Sequence, residues 1–324
     1  TAQPEPAPAA PAARPTAIRP AHPRLTQDHL RTPSQRRVAL PVFLFLATCI
    51  STFWVGASNW VPYPAPLPDL GVAGTIRWNV VARWGQGLAY MGGVLAILMT
   101  HEMGHFLMTL FYRIPASLPF FIPYPFSPIG TMGAVIMMAG YKANRKQIFD
   151  IGIAGPLAGL VVAIPLLYFG VQQLDMDVPA RGGLAFDCPL LMKWLFAVLR
   201  PDAAAITQIY PSQMNPMRMA AWVGLLITGL NMCPISQLDG GHVIHALFLK
   251  RGRYVARGFL VFAICYVVFS GAYFWSVMII LVTLMGVDHP PTADDRVPLG
   301  WFRTLLGWAS LTIPFLCFPP RLML

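Results

Sequence analysis

The sequence predicts an all-α polytopic membrane protein of about seven transmembrane helices, with a re-entrant hairpin among them. Three observations carry that class. Of 324 residues, 56% are hydrophobic and 11% charged, and the mean hydropathy is +0.57, too apolar for a soluble globular chain. The apolar residues fall into runs of membrane-crossing length. The net charge of +10 comes from short basic clusters between those runs, which orients a membrane protein and does not make a nucleic-acid surface. Among the five cysteines, Cys49, Cys233, Cys265 and Cys317 lie in or beside apolar runs and Cys188 stands alone in a loop. No paired spacing supports disulfides or a thiolate metal site.

Residues 1–38 are rich in Pro and Ala, with Arg14, Arg19, Arg24, Arg31, Arg36 and Arg37. No apolar face could offset the entropy of ordering them, so a disordered tail is expected. Its basic character holds it on the cytosol-like side of the first span. Residues 39–318 then form one membrane-embedded domain with its core at 87–245. The first span covers 39–59, a loop rich in Pro, Trp and Gly follows, and the second span covers 87–112. Arg113 and Pro115 end it.

Residues 115–140 stay apolar, yet Pro119, Pro123, Pro125 and Pro128 forbid a regular helix. Irregular backbone at membrane depth survives only against protein or a water-filled cavity. The expectation is a re-entrant hairpin turning at Gly130 and Gly133, with a short strand at 134–137. A connector on the membrane surface is the alternative.

Lys142, Arg145 and Lys146 form a basic cluster, and Asp150 precedes a third span at 151–171. There Gly155 and Gly159 make a small-residue face for close helix approach, and Pro156 predicts a bend. Asp150 reads as a charge at a helix N-terminus. The mixed-charge loop 172–219 holds a short interfacial helix at 190–199. A fourth span begins near Ala220 and runs through Asn231 to His242, closed by Lys250, Arg251, Arg253 and Arg257. Spans at 259–270 and 273–286 form a tight hairpin at Gly271. A polar turn with Asp288, His289, Asp294, Asp295 and Arg296 precedes the last span, 299–318.

With the tail inside, the basic clusters at 142–146 and 250–257 fall on the inner side as well. The same frame sets His101, His105 and Asp239 at a similar depth.

Inside the second span lies His101-Glu102-Met103-Gly104-His105. Two histidines four residues apart share one helix face and can close on a single ion, usually zinc. Glu102 projects where it can take a proton from a water on that ion. The chain has two glutamates, Glu5 and Glu102, and an ionisable cluster at this depth is costly unless it has a function. A pair of hydrogen-bonded core histidines is the plain alternative. Catalytic zinc usually takes three protein ligands, and Asp150, Asp239 and His242 are candidates for the third. Asp239 is favoured because Asn231-x-x-Pro234 disrupts the helix before it and Gly240 and Gly241 free it to swing. Asp-Gly-Gly is also ordinary turn chemistry. His242, His245 and Cys233 stand nearby as supporting residues at most.

In chain order, HEMGH at 101–105, PFFIPYPFSPIGTMGA at 119–134, AGPLAG at 154–159 and NMCPISQLDGGH at 231–242 resemble the site-2 metalloproteases. These are the zinc-dependent intramembrane proteases, and the similarity covers about 87–245. The resemblance implies a metalloprotease domain that hydrolyses peptide bonds in or near the transmembrane segments of membrane proteins. It implies one zinc ion on His101, His105 and Asp239, with Glu102 as general acid and base. Asn231 would position substrate or stabilise the oxyanion. The membrane-dipping hairpin would lie at Gly130, Gly133, Ala134 and Val135, and a strand edge at 133–137 could hold an unwound substrate by strand addition.

The loop 172–219 is too short for the PDZ domain that some members carry, and no tail suffices for a nucleotide-binding domain. The arrangement resembles the compact members of the family more closely, among them the plastid-type branch. The expected partners are a transmembrane substrate and the lipid bilayer, with no nucleic acid. The expected location is a bacterial inner membrane, with a plastid-type membrane as the alternative. Two competing readings are a catalytically silent relative that binds clients without cutting and a metal transporter. A transporter would need its ligands spaced along a path, whereas these converge at one depth.

Overall fold

The computed structural model describes residues 38–181, 185–235 and 237–319. The expected tail falls outside them except for Val38. In chain order the elements are α1 (Ala39–Ala57), α2 (Gly71–Ala82), α3 (Trp84–Phe111), β1 (Phe120–Tyr124), β2 (Gly130–Val135) and α4 (Arg145–Gln172). Next come β3 (Phe186–Asp187), α5 (Leu190–Leu199), β4 (Gln208–Ile209), α6 (Pro216–Asn231) and α7 (Asp239–Phe248). The described chain closes with α8 (Gly252–Ser270), α9 (Ser276–Met285), α10 (Trp301–Ser310) and α11 (Ile313–Cys317).

Among the described residues, four helical stretches are long and apolar enough to cross a membrane: α1, α3, α4 and the joined α7–α8 stretch Asp239–Ser270. At 1.5 Å per residue, α3 and α4 are each about 42 Å long and can cross with tilt. The sequence predicts about seven spans. The 16 residues of α6 reach only about 24 Å, and α9 and α10 about 15 Å each, short of the ~30 Å hydrocarbon core.

The fourth expected span is two helices. Its break, at residues 232–235, 237 and 238, follows from Pro234, which has no amide to donate and excludes its ring from a helix interior. Gly240 then packs on the Met232 backbone so closely that any side chain would collide with it.

The core is the meeting of α3, α4 and α6. Tyr90 and Leu98 of α3, Ala163 and Leu167 of α4, and Trp222 and Leu225 of α6 are all buried. Glycines set the spacing between these helices. A Cβ on Gly104 would lie 2.6 Å from the Ala154 carbonyl oxygen, and one on Gly93 would lie 2.8 Å from Ala220 Cβ. Large apolar side chains such as Phe43, Ile50, Val161, Phe169 and Phe262 point outward, the reverse of a soluble surface.

Residues 115–140 form a hairpin. β1 pairs antiparallel with β2, with Phe120 opposite Val135 and Tyr124 opposite Gly130. The register slips between Phe121 and Pro123, where proline removes a ladder donor. The strand expected at 134–137 lies earlier, because Gly130 (φ +81°) and Gly133 (φ +100°) are strand residues whose positive φ suits glycine. The hairpin is fastened to its neighbours: Ser51 of α1 donates to the Gly130 carbonyl, and Tyr90 of α3 to that of Ile129.

At the start of α4, Asn144 and Gln147 form a reciprocal capping box. Asp150 is the sixth residue of this helix, one turn too deep to serve as an N-terminal charge. It accepts instead two hydrogen bonds from Arg303 of α10, at 2.7 and 2.9 Å, and one from Tyr112.

Candidate metal centre

His101 and His105 lie one turn apart on α3, with their Nε2 atoms 3.1 Å apart. From the start of α7, the Asp239 carboxylate enters between them. Its Oδ2 is 3.2 Å from His101 Nε2 and its Oδ1 3.3 Å from His105 Nε2. Among the described residues, this is the one group of three such side chains whose ligand atoms lie within 4.8 Å of one another. Donors about 2 Å from a tetrahedral ion sit about 3.3 Å from each other, so the spacing suits zinc. Asp239 Oδ2 is buried and, beyond its ion-pair contact with His101, has no hydrogen-bond partner among the described residues. An oxygen left so is costly unless a cation meets it. Two imidazoles and a carboxylate are also a donor set that zinc accepts.

The second nitrogen of His105 explains its orientation. Nδ1 lies 2.8 Å from the Ile151 carbonyl oxygen, and a carbonyl only accepts. Nδ1 therefore carries a proton, and in the neutral ring Nε2 presents its lone pair to the site. The residues around Ile151 make room for this. A side chain on Gly155 would run into the His105 ring, and a Cβ on Gly159 would lie 3.2 Å from His101 Nδ1. The small-residue face of AGPLAG thus seats the two imidazoles as well as letting helices approach. Pro156 lies inside α4 and leaves the Gly152 carbonyl without its helical donor.

Glu102 is buried, 4% exposed, next to His101 and within electrostatic reach of His105 and Asp239. Asn231, the last residue of α6, brings its Nδ2 to 3.4 Å from His101 Nε2. The other two candidates for the third ligand go elsewhere. Asp150 is held by Arg303, and His242 Nδ1 lies 2.7 Å from His289 Nε2.

Gly130, Gly133, Ala134 and Val135 sit together on β2, which packs on α1 and α3 with Gly133 facing Ile227 of α6. No hydrogen bond among the described residues joins that strand to His101, His105 or Asp239. Its second edge carries no partner strand among the described residues.

Three features near the site escape a reading of the sequence. One is the Ile151 carbonyl, which has no sequence signature at all. The second is the seat at Gly155 and Gly159, whose spacing signals close approach but not what approaches. The third is the segment between α9 and α10. There His289 and Asp295 reach His242 and His245, and burial, then the neighbouring His242 and His245, push His289 down to about 3.

Comparison with known proteins points to one peptidase family. The model of Peptidase family M50 matches residues 89–270. "Probable zinc metalloprotease EGY1, chloroplastic" of Oryza sativa subsp. japonica is 32% identical over 163 residues, 49% of this chain and 28% of that protein. The Arabidopsis thaliana protein of the same name is 27% identical over 241 residues, 72% of this chain and 42% of its own. "Probable zinc metalloprotease EGY2, chloroplastic" of Arabidopsis thaliana is 27% identical over 211 residues, 62% of this chain and 36% of its own. The chain spans less than half the length of these relatives. No solved structure matches it.

Proposed function

The chain belongs to peptidase family M50, the site-2 protease family, and from that premise we propose that it is an intramembrane zinc-dependent endopeptidase. It hydrolyses peptide bonds in or near the transmembrane segments of membrane-protein substrates. The observation that carries this reading is the convergence of His101, His105 and Asp239, with Glu102 buried beside them. Those three residues would hold one zinc ion. Bound there, zinc supplies a Lewis acid for the scissile carbonyl and a nucleophile usable near neutral pH.

The protein's own groups do the rest. Glu102 takes a proton from the attacking water and returns it to the leaving amine. The Ile151 carbonyl keeps the His105 ring turned so that Nε2 serves the site. Asn231 lies close enough to His101 to donate a hydrogen bond to the oxygen on which charge develops.

A transmembrane helix hides its carbonyls in its own hydrogen bonds, so a substrate must unwind before it is cut. The unpartnered edge of β2, at Gly130, Gly133, Ala134 and Val135, supports capture of the unwound segment by strand addition.

The membrane domain is residues 39–318, with its core at 87–245. The shorter helices α6, α9 and α10 complete a bundle of about seven membrane segments. The hairpin dips to the depth of the histidines, which its apolar, proline-rich composition supports. The partners are a transmembrane substrate and the bilayer itself. The relatives are named chloroplastic, which is consistent with a plastid-type membrane. The expectation of a bacterial inner membrane draws no support from them.

The test uses purified protein in detergent with a model transmembrane substrate. Wild type cleaves in a zinc-dependent manner, and chelator abolishes cleavage. Glu102→Ala keeps its zinc yet loses at least about a hundredfold in rate. Full activity in that variant removes Glu102 from the chemistry. Zinc bound without cleavage points to a silent client-binding protein, and zinc flux without cleavage to a transporter.

A further inference from the structure

We propose that His289, with Asp295 beside it, is a positioning residue. It holds α7, and through α7 the Asp239 carboxylate, in line with the histidine pair on α3. This rests on the metal-centre reading above and extends it to residues beyond the family match, which ends at residue 270.

Asp239 is the first residue of a ten-residue helix, and residues 232–235, 237 and 238 before it are not helical. A ligand in that place is only as fixed as the helix bearing it. On its α4 side α7 is tight: a Cβ on Gly152 would lie 2.8 Å from His242 Cβ. At the far end Arg145 Nε donates to the Ala246 carbonyl at 2.7 Å. On the remaining face, His242 and His245, three residues apart, both meet the segment between α9 and α10. His242 Nδ1 lies 2.7 Å from His289 Nε2, and His245 Nε2 lies 3.0 Å from Asp295 Oδ1. The His245 and His289 rings stack with centroids 4.2 Å apart.

The direction of the central bond follows from its neighbour. His289 Nδ1 is 2.6 Å from the Pro290 carbonyl oxygen and must donate to it. A neutral His289 then has only a lone pair at Nε2, so His242 Nδ1 donates.

The segment is tied down on its other side. Ala293 N–H donates to the Ala143 carbonyl at 2.8 Å, and Arg145 N–H to the Asp294 carbonyl at 3.0 Å. Thr292 donates to Asp295 Oδ1 at 2.7 Å. Residues 289–295 thus strap the start of α4 to α7. The first of these helices orients His105 through Ile151, and the second carries Asp239. A cavity of about 300 Å³, lined by Gly241, His245, His289 and Asp295 among others, lies between strap and helix.

Zinc affinity of the full chain, purified in detergent and measured by competition with a chromogenic chelator, tests this. The variants are His289→Leu and His289→Gln. The glutamine oxygen reaches the Nε2 position and can accept from His242, whereas leucine supplies bulk alone. The leucine variant is expected to lose about 10–100-fold in zinc affinity, and the glutamine variant to recover most of it. A role confined to stability would lower the Tm of both without separating their affinities, and that result overturns the proposal. So does a leucine variant that binds zinc as wild type does. If His289→Leu fails to fold, Asp295→Asn replaces it, with a loss of affinity expected and unchanged affinity counting against the strap. A wild-type chain that binds no zinc overturns the metal-centre reading first, and the strap with it.

Discussion

Asp239 Oδ2 lies 3.2 Å from His101 Nε2, buried, with no hydrogen-bond partner among the described residues. Two helices from distant parts of the chain press a carboxylate against an imidazole pair, an arrangement that a cation relieves. Zinc should therefore stabilise the folded chain, by about 2.7 kcal/mol at a free concentration about one hundred times its Kd. Thermal unfolding with and without chelator measures this. Wild type should lose that increment on chelation, and Asp239→Ala should show no difference between the two conditions. An alanine variant still stabilised by zinc would mean that the ion sits elsewhere.

Gly155 is the second lever, because it touches no ion. A methyl group there must displace the His105 ring, which breaks the alignment of Nε2 while leaving every donor in the sequence intact. Gly155→Ala should cost more than about tenfold in zinc affinity, in the range seen for lost ligand support. Gly92, on the same helix as the histidines, faces open space: beyond its chain neighbours and the helix's own backbone, no described heavy atom lies within 4 Å of where a Cβ would stand. Gly92→Ala should leave zinc binding unchanged and raise stability by roughly 0.5–1 kcal/mol through helix propensity. Equal zinc affinities for the two alanine variants would show that the seat under His105 is not needed.

What was legible in the sequence follows the length scale of each interaction. His101 and His105 meet because they share one helix, and helical periodicity is written locally. Asp239 needed a packing inference, and the orientation of the basic clusters supplied the depth at which it would lie. Pro234 announced a break, yet the apolar run around it invited one continuous span where the chain makes α6 and α7. The pairing of Asp150 with Arg303 and of His242 with His289 joins segments that no local pattern relates. The Ile151 carbonyl is backbone and could not be read from side-chain identity.

Asp150 shows what such a distant pairing changes. By its position in the chain it is one of three candidates for the third ligand, yet two hydrogen bonds from Arg303 engage it away from the histidines. Asp150→Asn should keep zinc affinity at the wild-type level. It should destabilise the fold by roughly 1.5–3 kcal/mol, the range for hydrogen bonds to a charged group. Arg303→Leu should act in the same direction, and the double variant should cost less than the sum of the two. Loss of zinc in Asp150→Asn would return this residue to the metal centre.

The strap at His289 adds a dependence on pH. Burial, then His242 and His245, lower this imidazole to about 3 from an ordinary value of 6.5. The unfolded chain takes up a proton below about pH 6.5, where the folded chain does not. Its contribution to stability is therefore complete above that pH and is lost as pH falls toward 3, with a slope of up to about 1.4 kcal/mol per pH unit. Asp295 works in the same direction at lower pH. Burial pushes its carboxyl up, but the Thr292 hydroxyl and His245 more than offset this and hold it below the usual carboxylate range. That share is present above about pH 4 and is lost below it. The His289 effect is read from unfolding between about pH 7.5 and 5.0 with chelator present, so that proton competition at His101 and His105 for zinc does not enter. Wild type should lose more stability across that interval than His289→Gln, which has no proton to gain. Parallel curves for the two proteins would show that His289 is not held neutral against the strap.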